Sequence, residues 1–300
     1  MSMQDARPEA FGTAGQADGL LNGMSVDIED WFQVGAFETV IDRADWDKLN
    51  QRVERNTDAV LRLFEEAGIK ATFFILGWVA ERYPALMQRI VAAGHEIANH
   101  GYDHARVHTL SADQFRADLD RSRKLLEDSS GQKVVGYRAP SFSIDQRTPW
   151  AHAILAEQGY AYSSSVAPIN HDHYGWAGSP RFAWKPVAGS NLVELPVTTV
   201  KFGNRILAAG GGGFFRLLPY SLYKQSIRKM QREDQRGAIF YFHPWEIDPD
   251  QPRVGNAPLR SKLRHYTNMK HMRAKLLRAG RDFRWTRVDE LAALEAGVQQ

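Results

Sequence analysis

Apolar and polar positions along this chain fall into two alternating periods. Short apolar blocks at Val26–Ile28, Ala71–Ile75, Glu96–Asn99, Val134–Tyr137, Tyr160–Ser163, Leu192–Val197, Ala238–Phe242 and Phe283–Thr286 read as strands. Helical patterns separate them. Asn56-Thr57 caps a run from Asp58 to Ala67 that Gly68 closes, and Pro84–Ala93 stops at Gly94. Ser111 caps Ala112–Asp128 ahead of Gly131, and Thr148-Pro149 opens a helix that ends at Gly159. Pro219–Arg232, one long basic helix over Leu259–Ala279, and Val288–Ala296 complete the set. Strands alternating with helices predict a mainly parallel sheet with helical crossovers. Seven or eight strands favour a closed or nearly closed barrel, in which chemistry collects at the strand C-terminal ends. The expected architecture is α/β: a distorted (β/α) barrel of about seven strands with a C-terminal helical extension. Residues 1–20, rich in Gly, Ala, Gln and Asp, read as a disordered tail, 21–250 as the barrel domain, and 251–300 as a basic extension packed on the barrel. The glycine run Gly210–Gly213 reads as a loop or as a rim over the site.

Composition narrows the chemistry. The 300 residues are 43% hydrophobic and 24% charged, ample for a core. With no cysteine, disulfides and thiolate sites are excluded, so any metal must be held by His, Asp or Glu. Met1–Gly23 lacks a signal-like apolar run, and no window approaches a membrane span, so the expected location is cytoplasmic. Net charge is +3, but Arg253–Arg287 holds eleven Lys or Arg against one acid, Asp282. That stretch reads as a solvated helix face, or as a basic surface for an anionic glycan or the inner membrane leaflet. No nucleic-acid-binding motif is present, and no nucleic-acid partner is expected.

The chemistry-bearing residues share one placement. His100 and His104 stand four apart, just after the strand Glu96–Asn99, and imidazole is the commonest zinc ligand. A catalytic site needs a third ligand. Asp27, Glu29 and Asp30 stand at or just after the end of the first strand and supply carboxylates; alternation puts Asp27 and Glu29 on one face, with Asp30 pointing away unless the strand has already turned. Arg138 follows the fourth strand and His243 a late one. Trp176 and Trp245 are packing residues or sugar-stacking platforms, and Glu246 and Asp248 orient His243 or cap a turn. His171 and His173 read as a chance pair on a polar loop.

The ordered set Asp27/Glu29/Asp30, His100-x-x-x-His104, Arg138-Ala139-Pro140-Ser141-Phe142 and Phe242-His243-Pro244-Trp245 resembles the polysaccharide deacetylase family, the NodB-like domain of carbohydrate esterase family 4, over roughly residues 20–250. Val26–Phe32, Phe242–Pro249 and the block from Arg264 to Trp285 resemble the branch encoded with exosortase and exopolysaccharide loci. The resemblance implies a NodB-like barrel and a divalent metal, zinc first, with cobalt or another transition metal as alternatives. It implies His100, His104 and one carboxylate as ligands, Glu29 ahead of Asp30 because some relatives place the ligand two positions after the base, with Asp27 as base, His243 as general acid, Arg138 orienting the base, and Pro140 and Phe142 walling the groove. A metal-bound water and a proton for the leaving amine are what amide hydrolysis requires. The implied activity is N-deacetylation of an exopolysaccharide or lipid-linked oligosaccharide, in peripheral contact with synthesis machinery at the inner membrane. Two alternatives stand beside it: a metal-dependent hydrolase of a small cyclic amide, and a non-catalytic glycan-binding or scaffold protein. The chain departs from the family pattern at Ile28, between the acids, and at Ser163, where an acid is expected.

Overall fold

The computed structural model describes residues 19–170 and 174–298. Most of the expected N-terminal tail and the His171/His173 pair lie outside the described residues. The strands are β1 (Leu21–Ile28), β2 (Thr72–Ile75), β3 (Glu96–Asn99), β4 (Gly136–Tyr137), β5 (Tyr162–Ser163), β6 (Val193–Glu194), β7 (Thr199–Phe202), β8 (Arg205–Ala208), β9 (Ile239–Phe242) and β10 (Arg284–Thr286). The helices are α1 (Val53–Ala67), α2 (Gly77–Arg82), α3 (Pro84–Ala92), α4 (Ala112–Ser130), α5 (Ala151–Glu157), α6 (Gly212–Leu217), α7 (Tyr220–Asp234), α8 (Leu259–Tyr266), α9 (Met272–Asp282) and α10 (Val288–Val298).

Among the described residues, eight strands form one parallel sheet in the order β10-β1-β2-β3-β4-β5-β6, with β9 also paired to β1. The antiparallel hairpin β7-β8 interrupts the sheet between β6 and β9. Chain on either side of that hairpin bridges the gap: the Thr198 N–H donates to the Ile239 carbonyl at 3.2 Å, and the Tyr241 N–H to the Gly210 carbonyl at 2.8 Å. A distorted (β/α) barrel results, as expected.

Strand alternation sorts the core into two layers. On β2, Phe73 packs outward with Phe64 of α1 and Phe242, whereas Phe74 faces inward with Ala98, Tyr162 and Val193. Val288, Leu291 and Ala292 of α10 belong to the inner cluster. Asp27 pairs in register with Phe74, and Phe74 with Ala98. The C-terminal end of β1 is thereby tied to the neighbouring strand ends.

Several elements depart from the sequence pattern, among them the first strand, which starts at Leu21, and the helix expected at Thr148-Pro149, which starts at Ala151. Helix α1 starts at Val53, before the expected Asn56-Thr57 cap, because Asp30 Oδ2 accepts the N–H groups of Arg52 (2.6 Å) and Val53 (2.9 Å). That carboxylate, 22 and 23 residues upstream, satisfies donors that a helix start leaves open. The expected long basic helix is two, α8 and α9, separated by extended Thr267 and by Asn268 at φ 58°. Asparagine tolerates that left-handed conformation better than most residues. The glycine run is neither free loop nor bare rim: it starts α6, and a Cβ on Gly212 would collide with the Glu246 carboxylate.

Candidate active site

The sheet brings the sequence-distant candidates into one cleft of about 510 Å³, whose lining includes Asp27, Glu29, His100, His104, His243 and Trp245. Glu29, His100 and His104 are buried, and one ligand atom from each lies within 4.8 Å of the others. His100 directly follows β3, and its Nδ1 lies 2.8 Å from the Arg138 carbonyl. A carbonyl only accepts, so Nδ1 carries the proton and the Nε2 lone pair is left for the cleft. Burial lowers the His100 pKa to about 4 against the opposing pull of Asp27 and Glu29, which keeps the ring neutral. His104 sits at φ 60°, a left-handed conformation unusual for histidine. This conformation places Nε2 3.0 Å from Glu29 Oε2.

The donor chemistry fits a divalent transition metal. Glu29 Oε2 is buried, and its approach to His104 lacks hydrogen-bond geometry, so this oxygen goes without a hydrogen-bond partner. A buried, unsatisfied carboxylate oxygen is costly. Burial opposes the Glu29 charge, yet His104 and His243 hold its pKa down to about 2. An ionised carboxylate, a neutral imidazole with its outer nitrogen anchored, and a second imidazole make an N/O set suited to zinc and its neighbours.

Two braces flank this set. Arg138 is fully buried and its Nη1 donates to Asp27 Oδ1 at 2.7 Å. The same guanidinium donates to Ser25 Oγ (2.8 Å), the Ser164 carbonyl (3.0 Å) and Ser164 Oγ (2.8 Å), and stacks 4.0 Å from the Phe74 ring centroid. These contacts satisfy its donors away from water, as a buried charge requires. On the other side, His243 Nδ1 lies 2.9 Å from Glu246 Oε1, and Arg216 Nε donates to Glu246 Oε2 at 2.6 Å. Burial disfavours a charged His243, but Glu29, Glu246 and Asp27 outweigh it and push the pKa up to about 9.

The remaining candidates divide. Phe142 lines the cleft from a turn in which Ser141 (φ 53°) and Phe142 (φ 48°) are both left-handed. Pro140 begins that turn and is buried, and it does not line the cleft, correcting its expected place in the wall. Trp176 is likewise not a cleft residue: it packs half-buried against the main core, and its backbone N–H donates to the Ala167 carbonyl. Trp245 reaches the cleft but is stacked between His243 (5.0 Å) and His265 (4.0 Å), both at 14° between planes. Asp30 is turned away onto the start of α1. Ser163 Oγ bonds Ser165 Oγ, and its turn is braced instead by Glu194, whose Oε1 accepts the N–H groups of Ser165 and Val166. Of the residues left open or unremarked in the sequence, Glu246 orients His243. Ser25, Ser164 and Arg216 have no local motif that marks them, and His265 lies in the Arg264–Trp285 block without a role assigned there.

Residues 45–163 match the family described as polysaccharide deacetylase, and residues 164–293 match a domain of unknown function (DUF3473). Residues 45–163 therefore carry a polysaccharide deacetylase domain. It is 33% identical over 107 residues to a peptidoglycan deacetylase of Helicobacter pylori, covering 36% of each chain. It is 30% identical over 159 residues to a chitooligosaccharide deacetylase of Sinorhizobium fredii, covering 52% of this chain and 66% of that protein. The match spans about a third of the length of the first curated relatives. In three dimensions the chain resembles a structure from Mycobacterium smegmatis assigned to the polysaccharide deacetylases. The TM-score is 0.62 at 22% identity, covering 99% of this chain and 96% of that one. It also resembles an allantoinase, with a TM-score of 0.57 at 13% identity, covering 93% and 91%. Both likenesses concern the fold alone. No helix among the described residues is long and apolar enough to cross a membrane.

Proposed function

We propose that this protein hydrolyses N-acetyl groups on sugars of a bacterial exopolysaccharide or its lipid-linked precursor. The observation that carries the reading is the meeting of Glu29, His100 and His104 with two braced proton-transfer groups, Asp27–Arg138 and His243–Glu246, in one cleft. Glu29, His100 and His104 would hold the divalent metal, zinc first. A cation there would polarise the acetyl carbonyl and acidify the attacking water. Asp27, fixed by Arg138, takes the proton from water as its oxygen bonds to the carbonyl carbon. His243, anchored through Nδ1, presents Nε2 to the cleft and protonates the amine as the C–N bond breaks, leaving acetate and a free amino sugar. Fixed groups on both sides of the carbonyl need no reorganisation during the reaction.

A polymeric or oligomeric substrate suits the shape. The cleft adjoins a second groove of about 530 Å³, and both are lined by Val34, Glu38, His104 and Arg106. A small cyclic amide would need no such extension. Acetate release from N-acetylglucosamine oligomers, measured beside metal content, tests the reading. The wild type is expected to carry about one zinc-like ion per chain that His100→Ala/His104→Ala loses. Asp27→Asn is expected to abolish acetate release; full activity in that variant would overturn the mechanism.

A further inference from the structure

The hairpin β7–β8 leaves the barrel between β6 and β9 and pairs with no other strand. Its root is held. Arg181 donates to the Thr199 carbonyl (2.9 Å) and to Thr199 Oγ1 (3.1 Å), and the Ala209 and Gly210 N–H groups donate to the Thr198 carbonyl at 2.9 and 2.8 Å. Arg181 is in turn paired with Asp234, the last residue of α7. At the tip, Phe202 pairs with Arg205 across the two-residue turn Gly203-Asn204, with Gly203 at φ 58°.

Burial ends partway along both strands. Thr199 and Val200 are buried, whereas every residue from Lys201 to Leu207 is exposed. Successive side chains of a strand face opposite ways, so a hairpin lying flat on the protein would keep one face covered. Neither face is covered at this tip, which projects into solvent. Phe202 is the most exposed large hydrophobic side chain among the described residues, at 75%, with Ile206 and Leu207 at 43% and 40%. Apolar groups held out on a projecting tip are unfavourable in water and mark a contact surface.

The cross-strand register indicates the chemistry of the partner. Residues directly opposite one another share a face. Phe202 stands opposite Arg205, and Ile206 opposite Lys201, so each face of the tip carries an apolar side chain beside a cation. No acid occurs from Thr199 to Ala208. The acids at the adjoining end of α7 are engaged: Asp234 with Arg181, and Glu233 with Lys229, which also donates to the Lys201 carbonyl. A second copy docking tip to tip would set cation against cation. An anionic bilayer offers both complements at one depth, phosphates for Lys201 and Arg205 and the acyl boundary for Phe202 and Ile206.

We propose that the β7–β8 hairpin docks this protein on an anionic phospholipid surface, with Phe202 and Ile206 entering the interface and Lys201 and Arg205 meeting lipid phosphates. No hairpin residue lines the cleft, so the proposal stands apart from the catalytic reading.

Vesicle flotation of the full chain tests it, with vesicles of phosphatidylcholine alone and of an equimolar mixture with phosphatidylglycerol. Wild type is expected to float with the anionic vesicles and not with the neutral ones, and to be released as salt rises. Phe202→Ser/Ile206→Ser and Lys201→Gln/Arg205→Gln should each weaken binding by about tenfold or more. Neither pair should move the melting temperature, since all four side chains are exposed. The chain has no cysteine, so Asn204→Cys gives one attachment point for an environment-sensitive dye. Its emission should shift to the blue on anionic vesicles. Unchanged emission from bound protein overturns the proposal, as does wild type that ignores anionic vesicles at low salt, or hairpin variants that bind as tightly as wild type. Dimerisation that Phe202→Ser/Ile206→Ser abolishes, without vesicle binding, would assign the hairpin to a second copy and overturn it as well.

Discussion

Glu29 and Asp30 differ by one position and by the direction their carboxylates face. Glu29 turns into the cleft beside two imidazoles, whereas Asp30 accepts three backbone N–H groups, from Trp31, Arg52 and Val53. Substitution should separate the two roles. Glu29→Gln is expected to lose metal with little change in thermal stability. Asp30→Asn is expected to keep metal and lose about 1–3 kcal/mol of stability, because amide hydrogens would face backbone donors. Elemental analysis and denaturant unfolding on both variants check this; metal retained by Glu29→Gln would remove it from the ligand set. The same reasoning covers Glu246, which touches His243 but faces away from the cleft. Glu246→Gln is expected to lower kcat by about 10²-fold with KM nearly unchanged, since proton delivery rather than binding depends on the ring it holds. A proportional rise in KM instead would make Glu246 a packing residue.

At the level of elements, Glu96 joins four of them. It stands on β3 and meets Thr72 of β2, the Tyr162 hydroxyl of β5 (2.8 Å) and the Asp289 N–H of α10 (3.3 Å). Burial, with the nearby charge of Asp289, pushes its pKa from 4.5 up to about 8. Glu96 therefore holds its proton more tightly folded than unfolded. The resulting stabilisation is complete below about pH 4.5 and is lost as pH rises through about 8. Wild type should lose stability between pH 5 and 8.5 relative to Glu96→Gln, whose side chain cannot ionise; urea midpoints at the two pH values measure the difference. An identical pH response in both proteins would show that Glu96 ionises no differently when folded.

Across the whole molecule, the C-terminal segment is woven into the barrel rather than added to it. Strand β10 pairs with Leu21–Gly23 of β1, α10 buries Val288 and Leu291 in the inner core, and His265 stacks on Trp245. A chain ending at residue 250 would uncover the edge of β1 and the Trp245 ring. Such a truncation is expected to lose cooperative unfolding and to bind metal weakly if at all, measured by thermal melting and elemental analysis. A truncated chain that melts cooperatively with metal bound would make the segment dispensable to the site.

The alternation of apolar blocks and capped helices was enough to read the barrel, because parallel strands with helical crossovers carry their signal within each short window. His100 and His104 were legible for the same reason, being four residues apart, and strand alternation set Asp27 and Glu29 on one face. Contacts made across long stretches of chain left no such local trace. Asp30 caps a helix more than 20 residues downstream, Arg216 reaches Glu246 across 30 residues, and Arg138 meets Ser25 across 113. Trp176 and Trp245 look alike as sequence, yet packing sends one to the outer core and seats the other between two histidines. The break at Asn268 and the hairpin at Phe202–Arg205 follow from how α8, α9 and the gap beside β9 fit the barrel surface. A residue's period and type report its local conformation; which distant group it meets depends on the closure of the sheet that brings the strand ends together.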